Sequence, residues 1–348
     1  GSLMSHSSSQ STRSASSRSV AILAQAIVAQ ATTLSKAVWA HAYRLSSVGC
    51  RFLGVQAMAS AVPSEVAHHD ASRSGVSSTA LAVSALRALE SRKPASRQLI
   101  DDPFAELLCG EDQLDISWTV KTGLSKDFWI DLMAVRTRWI DDALEACAPK
   151  QLVVLGSGLD TRAYRLKALR GMPVYEVDFP EVVDTKRSLL RAHKPLAELQ
   201  TVSANLGADD WVTRLTDAGF KSDEASTWLL EGLTGYLTQQ ELDTLFEHIS
   251  GLSVPGSRMI ATFVGMEQHQ LTSMHCYFID KEADAEALLR RHGWSVGEIS
   301  RLDAAADRFG RTGCIPKDHP YYLSWACRCA TDDDASCAEP PRAKQRVE

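Results

Sequence analysis

The sequence predicts an α/β fold, a mainly parallel sheet covered by helices on both faces, with a helical segment ahead of it. Three observations predict it. From Gln151 onward, short apolar runs alternate with helical stretches, and that alternation gives parallel strands joined by crossover helices. The first run, Gln151–Leu155, leads straight into Gly156-Ser157-Gly158, a turn where backbone can approach a ligand with no Cβ in the way. The second run ends on Asp178, at the carboxyl edge where open α/β sheets bind nucleotide-like ligands.

In chain order, residues 1–70 read as a tail outside the fold. Within 1–64 there is no Asp or Glu, against five Lys or Arg, and Ser and Ala abound. An acid-free opening rich in Arg and Ser has the composition of an organellar transit peptide. The apolar run Val20–Ala31 is short and interrupted by Gln25 and Gln30, which argues against an anchor. The helical segment spans 71–148. Ser77-Ser78-Thr79 offers N-caps for the Ala- and Leu-rich run Ala80–Glu90, which Pro94 ends. Asp101-Asp102-Pro103-Phe104 starts a second helix, with Pro103 suited to its first turn. A third, Lys126–Ala146, places Phe128, Leu132, Val135, Trp139, Ile140 and Leu144 on one face.

Pro149-Lys150 opens the core, 149–330. Strands are expected at Gln151–Leu155, Val174–Asp178, Leu199–Ala204, Thr227–Leu230 and Arg258–Val264. The helices between them are Arg162–Leu169, Glu181–Ala192, Trp211–Ala218 and Gln239–Ser250. Pro255-Gly256 turns the chain into the fifth strand. A helix, Ala283–His292, and two closing strands, Trp294–Ser300 and Tyr321–Cys329, complete the core. The polar tail 331–348 is expected to be disordered.

Composition narrows the function classes. With 348 residues, 45% hydrophobic and 23% charged, the chain has ample apolar material for a core. It is not fibrous, collagen-like or wholly disordered. No run of 18 apolar residues occurs, so no membrane partner is expected. The expected location is soluble: cytoplasmic, or mitochondrial or plastid if the opening is a transit peptide. The net charge is −6 overall and −11 over 65–348, which argues against nucleic acid as a partner. Eight cysteines are too sparse for a small disulfide scaffold. Cys327-Arg328-Cys329 lacks the two-residue spacing of a zinc or thioredoxin pair, and no metal is expected.

Asp178 lies 20 residues after Gly158. A carboxylate there can accept hydrogen bonds from both hydroxyls of a ribose. With the glycine turn, it points to an adenosine-containing cofactor. A dinucleotide turn needs a third glycine beside a pyrophosphate, but Leu159-Asp160-Thr161 follows Gly158 here. Asp160 would repel a pyrophosphate and welcome an ammonium group. S-adenosylmethionine carries an ammonium and no phosphate, so it is favoured over NAD.

Six blocks together make the chain resemble the leucine carboxyl methyltransferase family, including its bacterial and polyketide carboxyl O-methyltransferase branch. They are Ser78-Thr79-Ala80, Asp101–Phe104, Val135-Arg136-Thr137-Arg138, Leu155–Arg162, Glu176–Pro180 and Glu231–Leu237. The resemblance implies a class I methyltransferase core, a Rossmann-like, mainly parallel seven-stranded sheet, under an N-terminal helical lid. It also implies roles. Arg136 matches the arginine that pairs with the methionine carboxylate of the cofactor, and Gly156 and Gly158 match the glycine loop. Asp178 matches the ribose-binding acid and Glu231 the cofactor-side glutamate. Asn205-Leu206 falls where the family often has Asp-Leu beside the adenine. Asp160 joins them as the acid that would face the cofactor's ammonium. Thr79 stands where the protein-phosphatase enzymes carry lysine, a departure that tells against a phosphatase tail as substrate.

The expected chemistry is in-line methyl transfer to a carboxylate of a small-molecule or polyketide acid. A carboxylic acid titrates near pH 4 and is already ionised at neutral pH, so the enzyme has only to align the reacting atoms and exclude water. Tyr236 is the candidate for positioning the acceptor, and no base is assigned to His275 or His319. A protein C-terminal carboxylate, an N, O or S acceptor, and a non-catalytic cofactor-binding role stay open as alternatives. The oligomeric state is left open as well.

Overall fold

The computed structural model describes residues 76–330, apart from 123, 209 and 266–278. The expectations for the tails 1–70 and 331–348, and for His275, lie outside the described residues. Three helices come first: α1 (Ser78–Ser91), α2 (Ala105–Cys109) and α3 (Lys126–Cys147). Ser77 caps α1 by accepting from the Ala80 N–H, and Ser125 caps α3 by accepting from the Phe128 N–H. Each cap satisfies one of the N–H groups that a helix start leaves without a partner. The second helix begins at Ala105 rather than in the Asp-Pro pair. Asp102 is turned inward, accepting from Arg87 Nε at 2.9 Å and from the Phe104 N–H at 3.2 Å.

The alternating part contains β1 (Leu152–Leu155), α4 (Arg162–Arg165), β2 (Pro173–Asp178), α5 (Pro180–Leu189), β3 (Glu198–Ser203), α6 (Trp211–Asp217), β4 (Thr227–Leu230), α7 (Gln239–Gly251) and β5 (Arg258–Val264). Then come α8 (Glu282–Arg291), β6 (Ser295–Arg301), α9 (Leu302–Arg308) and β7 (Tyr321–Cys327). The helix expected at Arg162–Leu169 is a single α-turn. Leu166 is extended and a 3₁₀ turn, Lys167–Leu169, follows. The last strand ends at Cys327, two residues short of its expected end.

The strands form one sheet in the order β3-β2-β1-β4-β5-β7-β6. The first five are parallel, and β7 lies antiparallel between β5 and β6. This is the mainly parallel seven-stranded sheet that the resemblance implied. Gly297 lies at the register shift in β6, where a Cβ would collide with the Trp325 ring 2.2 Å away. An indole covers the backbone there, which only glycine permits.

Two apolar layers hold the sheet. Leu152, Val154, Leu229 and Ile260 face a cluster that includes Leu86 of α1 and Trp129, Leu132 and Ile140 of α3. Val153, Leu155, Trp228 and Phe263 face a second cluster with Trp211, Leu245, Phe246 and Leu288. Successive strand residues point to opposite faces, so a strand covered on both sides is apolar throughout. That is why Leu152–Leu155 reads as a continuous hydrophobic run. The described residues belong to one compact unit. None of their helices is long and apolar enough to cross a membrane.

Candidate functional site

The loops after β1, β2 and β4 open onto a cavity of about 580 Å³. All nine residues singled out from the sequence line it: Arg136, Gly156, Gly158, Asp160, Asp178, Asn205, Leu206, Glu231 and Tyr236.

The turn after β1 is tied to β2. The N–H groups of Gly156 and Ser157 donate to the Val177 carbonyl at 2.9 and 3.2 Å, and the Gly158 N–H donates to Asp178 Oδ2 at 2.6 Å. Asp178 Oδ1 takes the Phe179 N–H at 2.7 Å. Burial raises the Asp178 carboxyl above the ordinary carboxylate range, opposed by the Gly158 and Phe179 hydrogen bonds. Both glycines sit at positive φ, +63° and +47°. A Cβ on Gly156 would lie 3.0 Å from Leu233 Cδ1. On the far wall, Asn205 Oδ1 accepts from the Gly207 N–H at 2.9 Å. The Asn205 carbonyl keeps a second lone pair to accept with, and its NH₂ can donate.

Beneath the cavity runs a network of four arginines and four acids. Arg136 Nε donates to Glu231 Oε1 at 2.7 Å, and Arg162 Nη1 donates to Glu231 Oε2 at 2.6 Å. Arg162 also donates through Nε to Asp141 at 2.7 Å and is ion-paired to Asp160. Arg165 joins Asp141 at 2.6 Å, and Arg87 joins Asp102 at 2.9 Å. Thr161 Oγ1 donates to Asp102 at 2.7 Å and takes a hydrogen bond from Arg165 Nε at 3.0 Å. The eight charges cancel, as buried charges must to offset their desolvation.

The network sets the acids' protonation. Burial alone would push the Asp160 carboxyl up, but the Arg162 and Lys186 charges outweigh it and hold it well below the ordinary range. Burial acts in the same sense on Glu231, and Arg162 and Arg136 bring it down to about 2. Both oxygens of Asp160 are occupied, one by the Arg162 guanidinium and one by its N–H. Asp160 therefore lines the cavity as half of an ion pair rather than as a bare negative charge.

At the rim, Tyr236 is 48% exposed and donates through its hydroxyl to Thr79 Oγ1 at 3.1 Å. Thr79 also meets Ser77 Oγ at 3.0 Å. This line of hydroxyls joins the start of α1 to the 3₁₀ turn after β4, Thr234–Tyr236. Arg138 pairs instead with Asp142 on its own helix and lies over the Phe309 ring. It is absent from the cavity lining. His319 is buried against Phe128, also away from the lining.

The sequence does not single out Arg162, Asp141 and Tyr321. Arg162 lies inside the Leu155–Arg162 block, and its spacing of two from Asp160 is the available signal. Asp141 and Tyr321 carry none, because their partners are 21 and 185 residues away.

The leucine carboxyl methyltransferase family pattern matches residues 80–250. A "Putative S-adenosyl-L-methionine-dependent methyltransferase" of Mycobacterium sp. (strain JLS) is 37% identical over 271 residues, covering 68% of this chain and 89% of that protein. One of the same name from Mycolicibacterium gilvum (strain PYR-GCK) is 35% identical over 283 residues, covering 76% and 88%. Among solved structures, a "putative methyltransferase" from Thermobifida fusca YX superposes with a TM-score of 0.47 at 17% identity, covering 72% of this chain and 94% of that one.

Proposed function

Because the chain belongs to the leucine carboxyl methyltransferase family of S-adenosyl-L-methionine-dependent enzymes, we propose that it methylates a carboxylate of a small, largely apolar acid. S-adenosyl-L-methionine is the cofactor, and when bound it supplies a sulfonium methyl group. The cavity residues fit it. Asp178 offers oxygens to a ribose, and the Gly156 turn leaves a path that a Cβ would crowd against Leu233. Arg136 would pair with the cofactor's carboxylate, and the Asn205 NH₂ can donate to a ring nitrogen of adenine. Asp160 and Glu231 keep the arginines in place.

One observation carries the carboxylate reading. No histidine, lysine or cysteine is among the described residues that line the cavity, and its acids are engaged. Asp160 and Glu231 are held by arginines, Asp178 takes the Gly158 and Phe179 N–H groups, and Glu241 closes the capping box of α7 with Thr238. An amine or phenol acceptor must lose a proton to a base near the reacting atom. A carboxylic acid arrives without it. The wall toward α1 and α3 is built from Val83, Trp129, Leu132 and Met133, which suits an apolar acceptor body. Tyr236 and Thr79 offer neutral hydroxyls to the carboxylate. Alignment and exclusion of water then supply the rate, with positioning able to contribute about 7–11 kcal/mol.

The test is a mass-spectrometric assay with the cofactor and a panel of apolar acids, amines and phenols. The expected product is an alkali-labile methyl ester, formed at a rate flat from about pH 6 to 9, above the acceptor's own titration. Methylation of an amine or phenol, with a rate climbing through neutrality, would overturn the reading.

A further inference from the structure

The Arg136 guanidinium is gripped from two directions. It projects from the middle of α3 and is buried. Its Nε donates to Glu231 Oε1 at 2.7 Å, beyond the end of β4. Its Nη1 donates at 3.1 Å to the hydroxyl of Tyr321, the first residue of β7. Among the described residues, Nη2 has no partner. A planar group held at one point can swing about that bond, whereas two divergent bonds fix its plane.

The far end of each bond is itself anchored. Glu231 cannot follow Arg136, because Arg162 holds its other oxygen at 2.6 Å. Tyr321 is 3% exposed and donates its own proton to Thr262 Oγ1 at 3.3 Å. Thr262 Oγ1 also receives the Gly232 N–H at 2.8 Å. The Tyr321 hydroxyl proton is thus directed at β5, which leaves its lone pair to Arg136. Thr262 alone would satisfy a buried phenol, so the bond to Arg136 is not needed to settle Tyr321 in the core.

We propose that Tyr321 is a positioning residue for the cofactor. By receiving Arg136 Nη1 it turns the guanidinium so that its remaining N–H groups meet the cofactor's carboxylate. This rests on the reading of Arg136 as that carboxylate's partner. It assigns to the antiparallel strand a part in binding that would otherwise fall to the parallel half of the sheet alone.

The experiment compares two ligands on the full chain by calorimetry. S-adenosylhomocysteine carries the amino-acid carboxylate, and 5′-methylthioadenosine lacks it. Tyr321→Phe keeps the ring in the core and removes the hydroxyl. It is expected to weaken S-adenosylhomocysteine by about 5–10-fold, the scale of one hydrogen bond, and to leave 5′-methylthioadenosine unchanged. Thr262→Val, which frees the Tyr321 hydroxyl to rotate, should give a smaller loss with the same selectivity. Equal weakening of both ligands by Tyr321→Phe would mark a merely structural role and overturn the proposal, as would no change in either. Arg136→Lys separates the two levels. If it weakens S-adenosylhomocysteine selectively while Tyr321→Phe does not, only the role of Tyr321 falls. If it shows no selectivity, the assignment of Arg136 falls with it.

Discussion

The backbone N–H of Gly158 donates to Asp178 Oδ2 at 2.6 Å, joining the turn after β1 to the end of β2 across 20 residues. The bond aims the carboxylate before any ligand arrives, so binding does not have to order it. Asp178→Asn keeps the shape but halves the accepting capacity and removes the charge. S-adenosylhomocysteine should then bind about 10–100-fold more weakly, the equivalent of roughly 1–3 kcal/mol. Calorimetric titration measures it, and an unchanged affinity would refute the ribose role.

Gly156 and Gly158 should not be equally intolerant of a side chain. Both have positive φ, so alanine at either costs about 1–2 kcal/mol of backbone strain. A Cβ at 156 also meets Leu233 Cδ1 at 3.0 Å, whereas one at 158 meets only Ala80 Cβ at 3.9 Å. Urea unfolding should find Gly156→Ala the less stable of the two variants. The reverse order would contradict the packing at Leu233.

Glu231→Gln should destabilise the fold sharply. It leaves Arg136 and Arg162 facing a neutral amide in a buried setting, where removing one partner of an ion pair costs up to about 3–5 kcal/mol. The acid limb should change too. The folded chain holds the Glu231 carboxyl at about 2, below its ordinary value. Its contribution is therefore complete above pH about 4.5 and lost as the pH falls toward 2. Melting temperatures of the two proteins should converge over that window, and parallel curves would count against the network.

His319 should shape stability at higher pH. Burial lowers its imidazole to about 4, with Asp303 opposing. Its folded value lies below the unfolded one, so the unfolded chain takes up the proton first. Stability is full above about pH 6.5 and declines as the pH falls toward 4, by on the order of 3 kcal/mol. His319→Phe, which keeps a ring against Phe128, should flatten that slope in denaturant titrations. An unaltered slope would show that another group is responsible.

Much of the core was legible because each signal is local. Leu152–Leu155 is apolar on both faces because both faces are covered, and the glycines after it mark a turn no other residue adopts freely. Phe128, Leu132, Val135, Trp139, Ile140 and Leu144, read as one helical face, are all buried. Arg136 sits among them and lines the cavity. Asp102 shows where such reading stops. Its place before a proline suggested a helix start, but its carboxylate turns inward to Arg87 and Thr161, and the helix begins later.

By itself the sequence determined the alternating elements, the glycine turn, the acid 20 residues on and the family. The elements and the turn follow from short-range stereochemistry and the spacing of apolar residues, whereas the family follows from the resemblance carried by six motif blocks. The tertiary structure alone decided that β7 runs antiparallel between β5 and β6, that Arg162 meets Glu231 across 69 residues, and that Tyr321 meets Arg136 across 185 residues. Their partners are chosen by the packing of distant segments. A buried charge or hydroxyl must find a partner to offset its lost hydration, and only the folded chain decides which one lies within reach.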